Sequence, residues 1–270
     1  MPSRLTPLMD TAISADGTRI AFWRSGSGLP LLLVPGATAD HATTWRVVLP
    51  ALEERFAVCA MDRRGRGDSG DSASYELARE AEDIVAVLET MGEPAFVLGH
   101  SFGALGAIEA SLRTSLLRRL ILYEGVPVRG AEQYAPGVIE RLERLMATGD
   151  MEGALVALLR EVAGMDGAEI DVLRAQSTAW ERRIRNSRSA PRELRADASY
   201  VFEPGRFASM ATPTMLLVGG ASSPRELANA RTVASVLPNG SVTVLDGQQH
   251  IAMHTAPELF VQEVERFLTR

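Results

Sequence analysis

The sequence predicts an α/β fold: a mostly parallel central sheet flanked by helices, with a helical cap inserted into it. Three observations carry this expectation. Short apolar runs alternate with longer helical patterns, as buried parallel strands and their crossover helices do. The alternation stops after Pro127 and resumes at Thr214. Between one such strand and its helix stands Gly99-His100-Ser101-Phe102-Gly103, a turn that places a serine above the edge of a sheet.

The elements follow in order. Thr11 to Ser14 and Arg19 to Arg24 flank Asp16-Gly17, a pair suited to positive φ, and predict an opening hairpin. Leu31 to Val34 reads as a strand followed by a helix near Thr44 to Glu54. Ala57 to Met61 leads to a helix from Tyr75 to Met91. Ala95 to Leu98 runs into the helix that begins near Ser101, and Leu120 to Tyr123 is the next strand. From Val128 to Ser209 the pattern is helical, with Tyr134 to Thr148, Met151 to Ala163 and Glu169 to Arg185 as its helices. Thr214 to Val218, a helix over Pro224 to Leu237, Ser241 to Leu245 and a helix over Pro257 to Leu268 complete the chain. A chain of 270 residues built this way reads as one core (1–127 and 210–270) carrying one cap (128–209). The cap is expected to lie over the carboxyl edge of the sheet, where open α/β sheets bind ligands.

Composition narrows the chemistry. A net charge of −6 argues against a nucleic-acid or anionic-membrane surface. The chain contains no lysine, so its 28 basic residues are all arginine. That excludes a P-loop and any lysine-based nucleophile or base. Cys59, the single cysteine, sits in an apolar run and reads as an inert core residue. Met1 to Thr11 has no apolar leader core and no run approaches the length of a membrane span, so a cytoplasmic location is expected. No cofactor motif is present.

Ser101 is the candidate nucleophile. A hydroxyl needs a base to take its proton, and of the four histidines His250 follows the last strand and precedes the last helix, where the chain order of such enzymes places the base. His100 adjoins the serine and is expected to point into packing beneath the turn. His250 and His254 are four apart, but no glutamate follows the first and no third ligand is evident, so they do not read as a zinc site. The oxyanion that forms during acyl transfer needs two backbone N–H donors. Phe102, at the helix start, and Ala37, in Val34-Pro35-Gly36-Ala37, are the candidates.

With Asp62-Arg63-Arg64-Gly65-Arg66-Gly67-Asp68-Ser69, a turn similar to the family's D-x-R-G-x-G-x-S, the chain resembles the capped, cofactor-free α/β-hydrolases. The departure is the acid. Relatives carry an aspartate after the strand corresponding to Thr214 to Val218, whereas here the loop reads Gly219-Gly220-Ala221-Ser222-Ser223-Pro224. Some members move the acid one strand earlier, and Glu124, ending Leu120-Ile121-Leu122-Tyr123, occupies that position. Against this stands the reading of Glu124 as a capping or cap-anchoring carboxylate. Tyr123-Glu124-Gly125-Val126-Pro127 together with Asp246-Gly247-Gln248-Gln249-His250 resembles the fungal zearalenone lactonases, whose acid is such a glutamate and whose cap tryptophan packs on substrate. Trp180 falls near the corresponding place.

The expected partner is therefore a small apolar ester or lactone, with Trp180 and His41 as candidate substrate contacts. Helix packing is the competing reading of Trp180. Arg182-Arg183-Ile184-Arg185 and Arg188 read as a solvated face, and Arg192, Arg195 and Asp197 as an exposed linkage. A homodimer is compatible with the sequence. Two rival functions stay open: a cofactor-independent lyase or cyclase using the same serine and histidine, and a catalytically weak small-molecule receptor.

Overall fold

The computed structural model describes residues 7–270; the first six residues of the stretch read above for a leader lie outside it. β1 (Leu8–Ile13) and β2 (Arg19–Gly26) form the predicted hairpin. They are followed by β3 (Leu29–Val34), α1 (Leu49–Leu52), β4 (Phe56–Met61), α2 (Leu77–Met91), β5 (Ala95–His100), α3 (Phe102–Ala110) and β6 (Leu117–Tyr123). Next come α4 (Val138–Ala147), α5 (Met151–Glu161), α6 (Gly167–Arg174), α7 (Ser177–Asn186), α8 (Ala190–Ala198) and α9 (Pro204–Phe207). The chain then returns through β7 (Thr214–Gly219), α10 (Pro224–Val236), β8 (Gly240–Leu245), α11 (Ala252–Thr255) and α12 (Pro257–Leu268).

The strands form one eight-stranded sheet in the order β1-β2-β4-β3-β5-β6-β7-β8. β2 pairs antiparallel with β1 and β4, and every other pairing is parallel. Side chains alternate between faces with period two. Leu31, Leu33, Leu98, Ile121 and Leu217 belong to the apolar layer shared with α12, while Leu32, Val34, Val97, Leu122 and Leu216 belong to the layer shared with α2, α3 and α10. Both faces of the inner strands β3 to β7 are covered, which is why those strands read as apolar runs.

Two helices differ from their sequence patterns. The helix expected over Thr44 to Glu54 is confined to α1, because Thr43 and Thr44 donate their N–H groups to the Asp40 carbonyl and hold the preceding segment in turns. The helix expected over Glu169 to Arg185 is two, α6 and α7. Gln176 leaves helical geometry at ψ 69°, and its carbonyl starts the new helix by accepting from Trp180 N–H.

Three arginines in the turn after β4 are fully buried, which the apolar pattern gave no reason to expect. Arg64 ties the turn to the core through Asp83 (2.7 Å) and Asp16 (2.9 Å). Arg63 and Arg66 instead reach the helical insertion, where both pair with buried Glu193 on α8 and Arg66 also donates to Ser189 Oγ at 2.8 Å. Removing one member of such a buried pair leaves an uncompensated charge, at a cost of about 3–5 kcal/mol. Among the described residues, no helix is long and apolar enough to cross a membrane.

Candidate active site

Ser101 links β5 to α3 at φ 54°, in the left-handed region that residues with a Cβ avoid. Such a conformation costs about 1–3 kcal/mol and persists only where the surroundings enforce it. Here a Cβ on Gly99 would collide with the Ala104 backbone, and one on Gly103 with the Pro35 carbonyl, so the turn packs as tightly as its glycines allow. Ser101 N–H is fixed by the Tyr123 carbonyl at 2.9 Å. Phe102 opens α3, so its N–H has no acceptor within the helix. The loop carrying Ala37 abuts the turn, since a Cβ on Gly36 would lie 3.0 Å from that of Ser101. Ala37, Phe102 and Ser101 line one cavity.

Glu124 ends β6, the neighbour of β5, and it too has φ 54°. Its carboxylate is buried and three donors converge on it. Oε1 accepts from Gly219 N–H (3.0 Å) and Ser222 Oγ (2.6 Å), and Oε2 lies 2.5 Å from His250 Nδ1. Burial alone would raise the Glu124 pKa, but the His250 bond and charge outweigh it and hold the carboxyl below its ordinary value. The reverse balance operates on His250. Burial would lower its pKa, and Glu124, aided by Glu226 and Glu169, holds it above 6.5. The loop after β7, which lacks the usual aspartate, therefore contributes two donors to the displaced carboxylate.

Backbone contacts complete the frame. The Tyr123 hydroxyl donates to the Gln249 carbonyl and accepts from Ala252 N–H at 3.0 Å, gripping the loop on either side of His250. His100 Nε2 bonds the His250 carbonyl at 2.9 Å, and its ring centroid lies 4.7 Å from that of His250. Burial, with the His250 charge beside it, pushes the His100 pKa well down, so it stays neutral. Gly125, at φ 76°, packs on the Ser101 backbone with no room for a Cβ. Sequence reasoning left Tyr123, His100 and Gly125 without a positioning role. The Tyr-Glu-Gly run at a strand end was the only signal for Tyr123 and Gly125, and for His100 it was the place beside Ser101.

Ser101, His250, Glu124, Ala37 and Phe102 thus share one cavity, of about 180 Å³. Trp180 and His41 do not line it. Trp180 packs inside the insertion, with Nε1 donating to Glu152 at 3.0 Å and Arg174 over its ring. His41 stacks on Trp23 and bonds Asp62 through Nδ1 at 2.8 Å. Asp40, His41 and Asp62 bring ligand-type atoms close together, yet the carboxylates already accept from Arg182, Asn186, Ala42 and Asp68. The arginine run is not one solvated face. Arg185 is exposed and Arg182 pairs with Asp40, but Arg183 is buried and lines the cavity, because α7 turns its 179/180/183/186 stripe inward. Asp197, read as exposed, is buried and accepts from the Tyr134 hydroxyl.

Comparison with known proteins agrees with this architecture. A crystal structure of an alpha/beta hydrolase from Sphaerobacter thermophilus is 33% identical, superposes with a TM-score of 0.77, and covers 93% of this chain and 100% of its own. An uncharacterized protein of Mycobacterium tuberculosis is 27% identical over 282 residues, spanning 94% of this chain and 80% of that protein. A 2-(acetamidomethylene)succinate hydrolase of Mesorhizobium japonicum is 25% identical over 259 residues, spanning 90% of this chain and 89% of that enzyme. The family model described as Alpha/beta hydrolase family matches residues 31–263. This chain belongs to the alpha/beta hydrolase family.

Proposed function

We propose that the protein is a serine hydrolase that opens a small carboxylic ester or lactone through Ser101, His250 and Glu124. The observation that carries this reading is the 2.5 Å bond between Glu124 and His250 Nδ1 beside a strained Ser101 in the same cavity. That bond fixes the imidazole tautomer, leaving Nε2 to act as the base. His250 takes the Ser101 proton as Oγ attacks the carbonyl carbon. The Ala37 and Phe102 N–H groups receive the developing oxyanion. The same proton then passes to the departing alkoxide and an acyl-serine remains. Water, deprotonated by His250, attacks the acyl carbon, releasing the carboxylic acid and returning the proton to Ser101.

Cavity size favours a small substrate. Pockets for drug-sized ligands hold about 300–1,000 Å³, and this one holds about 180 Å³. A small ester or lactone therefore suits it better than a zearalenone-type macrocycle. The hydrolase named among the relatives supports bond cleavage by water in a chain of this length.

The test is Ser101→Ala against p-nitrophenyl butyrate, with melting temperature as the control for folding. A fall in kcat/KM of about 10³-fold or more is expected. Turnover of methyl esters in ¹⁸O-labelled water should place label in the acid product. Full activity in Ser101→Ala would overturn the nucleophile assignment, and product without label would favour elimination or cyclisation.

A further inference from the structure

We infer that the substrate carries a carboxylate, or a group of like charge, and that Arg183 receives it within the same cavity. The inference rests on the serine-hydrolase reading for the reaction, but its own ground is Arg183. This residue is only 6% exposed, lines the cavity, and its guanidinium makes no hydrogen bond or ion pair among the described residues.

That isolation sets it apart from the arginines around it. Arg182 pairs with Asp40 at 2.8 Å, Arg192 with Asp71 at 2.7 Å, Arg195 with Glu143 at 2.5 Å and Arg206 with Glu109 at 2.6 Å. Arg185 and Arg188 stand in solvent. A buried guanidinium is costly unless something of opposite charge approaches it. Asp40, the anion that most favours the charged form of Arg183, is already committed to Arg182 and Asn186. Burial pulls the Arg183 pKa down to about 10, so at neutral pH the group is still a cation.

His254 adds a second polar atom. It lines the cavity, its Nδ1 lies 3.3 Å from the Gln176 amide, and its Nε2 is buried with no hydrogen-bond partner. Burial and the nearby Arg183 charge hold its pKa at about 3, so it is a neutral imidazole. When Nδ1 accepts from the Gln176 amide, Nε2 carries the hydrogen, and the Thr44 backbone favours that N–H. Arg183, His100 and His254 line the same cavity.

Other acids lining the cavity are otherwise engaged. Glu161 pairs with Arg141 at 2.8 Å, and Asp197 is bonded to Tyr134 and neighbours Glu226. Burial pushes the Asp197 carboxyl up to about 7 and raises Glu226. Arg225, the other arginine lining the cavity, is exposed and donates to the Glu132 and Gln133 carbonyls beside Glu226, so Arg183 is the buried cation there without a partner. Arginine suits the task of receiving a carboxylate because its planar fork can grip both oxygens.

The test compares monomethyl succinate, glutarate and adipate with methyl butyrate and methyl valerate in a pH-stat. Wild type should favour the best hemiester by about tenfold or more in kcat/KM. Arg183→Met should bring that ratio to near one, Arg183→Lys should retain part of it, and Arg185→Met, on the exposed face of the same helix, should keep it whole. Calorimetry with glutarate on Ser101→Ala reads binding without turnover. Saturable binding that vanishes in Ser101→Ala/Arg183→Met supports the site even if no ester is hydrolysed, in which case the hydrolase reading alone fails. Equal use of neutral and anionic esters by wild type, or a preference untouched by Arg183→Met, overturns the Arg183 assignment and leaves the serine reading standing.

Discussion

The ends of β5 and β6 lie side by side and have the same backbone peculiarity. Each leads into a non-glycine residue at φ 54°, Ser101 after one strand and Glu124 at the end of the other. What holds the two residues differs. Ser101 is enforced by steric packing: Gly36, Gly99, Gly103 and Gly125 let backbone press on it from several sides. Glu124 is enforced by hydrogen bonds from Gly219, Ser222 and His250. Half of that packing, Gly99 and Gly103, is written into a short local motif, while Gly36 and Gly125 come from neighbouring segments. A hydrogen-bonded carboxylate depends on partners about a hundred residues away along the chain.

The strongest way to break this comparison is Glu124→Gln. If its charge steers His250, kcat on a small ester should fall by about 10²–10⁴-fold. Glu124 raises the His250 pKa, and the base must be neutral, so the acid limb of the wild-type profile should lie above pH 6.5 and move lower in the variant. Stability follows the same linkage. The Glu124 contribution is lost as pH falls through its lowered pKa, and that of His250 is lost as pH rises through its raised one. Both are fully present between the ordinary values, 4.5 and 6.5. The melting-temperature gap between wild type and Glu124→Gln should be widest in that window and narrow above it. A pH-independent gap would mean the bond is not ionic.

Glycine substitutions give a smaller effect of opposite sign at the two positions. Ser101→Gly relieves backbone strain and should raise stability by about 1 kcal/mol in denaturant titration. Glu124→Gly relieves the same strain but strands buried donors, and a net loss of about 1–3 kcal/mol is expected. The mildest perturbation is Ser222→Ala. It removes one donor and leaves Gly219 in place, so kcat should fall by only a few-fold, about 1 kcal/mol or less.

The same contrast governs what the sequence made legible. The strand–helix alternation located the inner strands because β3 to β7 are buried on both faces, and the Asp16-Gly17 turn located the β1–β2 hairpin. The Ser101 turn was readable because its glycines are adjacent in sequence. Glu124 could be nominated only from what the β7 loop lacked and from a family resemblance, since nothing local to Tyr123-Glu124-Gly125 names its partners. Arg183 was misread because composition cannot say which side of α7 faces inward. Trp180, on the same buried stripe one turn earlier, is used in packing against α5, while Arg183 reaches the cavity. The expected helix was too long because Thr44 reads as a helix start, whereas Thr43 and Thr44 spend their N–H groups on the Asp40 carbonyl and the segment before α1 stays in turns.

Placing the carboxylate on β6 has a consequence for how the protein can change. Ser101 and Glu124 both belong to the β5–α3–β6 unit, upstream of the helical insertion, so their spacing is fixed within one short stretch of chain. An acid on β7 would have reached the serine only after the chain had passed through the whole insertion. In this arrangement the insertion leaves the core after β6 and returns at β7, and its further ties are the pairs of Glu193 with Arg63 and Arg66 and of Arg182 with Asp40. A change in the insertion leaves Ser101 and Glu124 in mutual register, while His250 and the Gly219 and Ser222 donors must still be brought back from its far side.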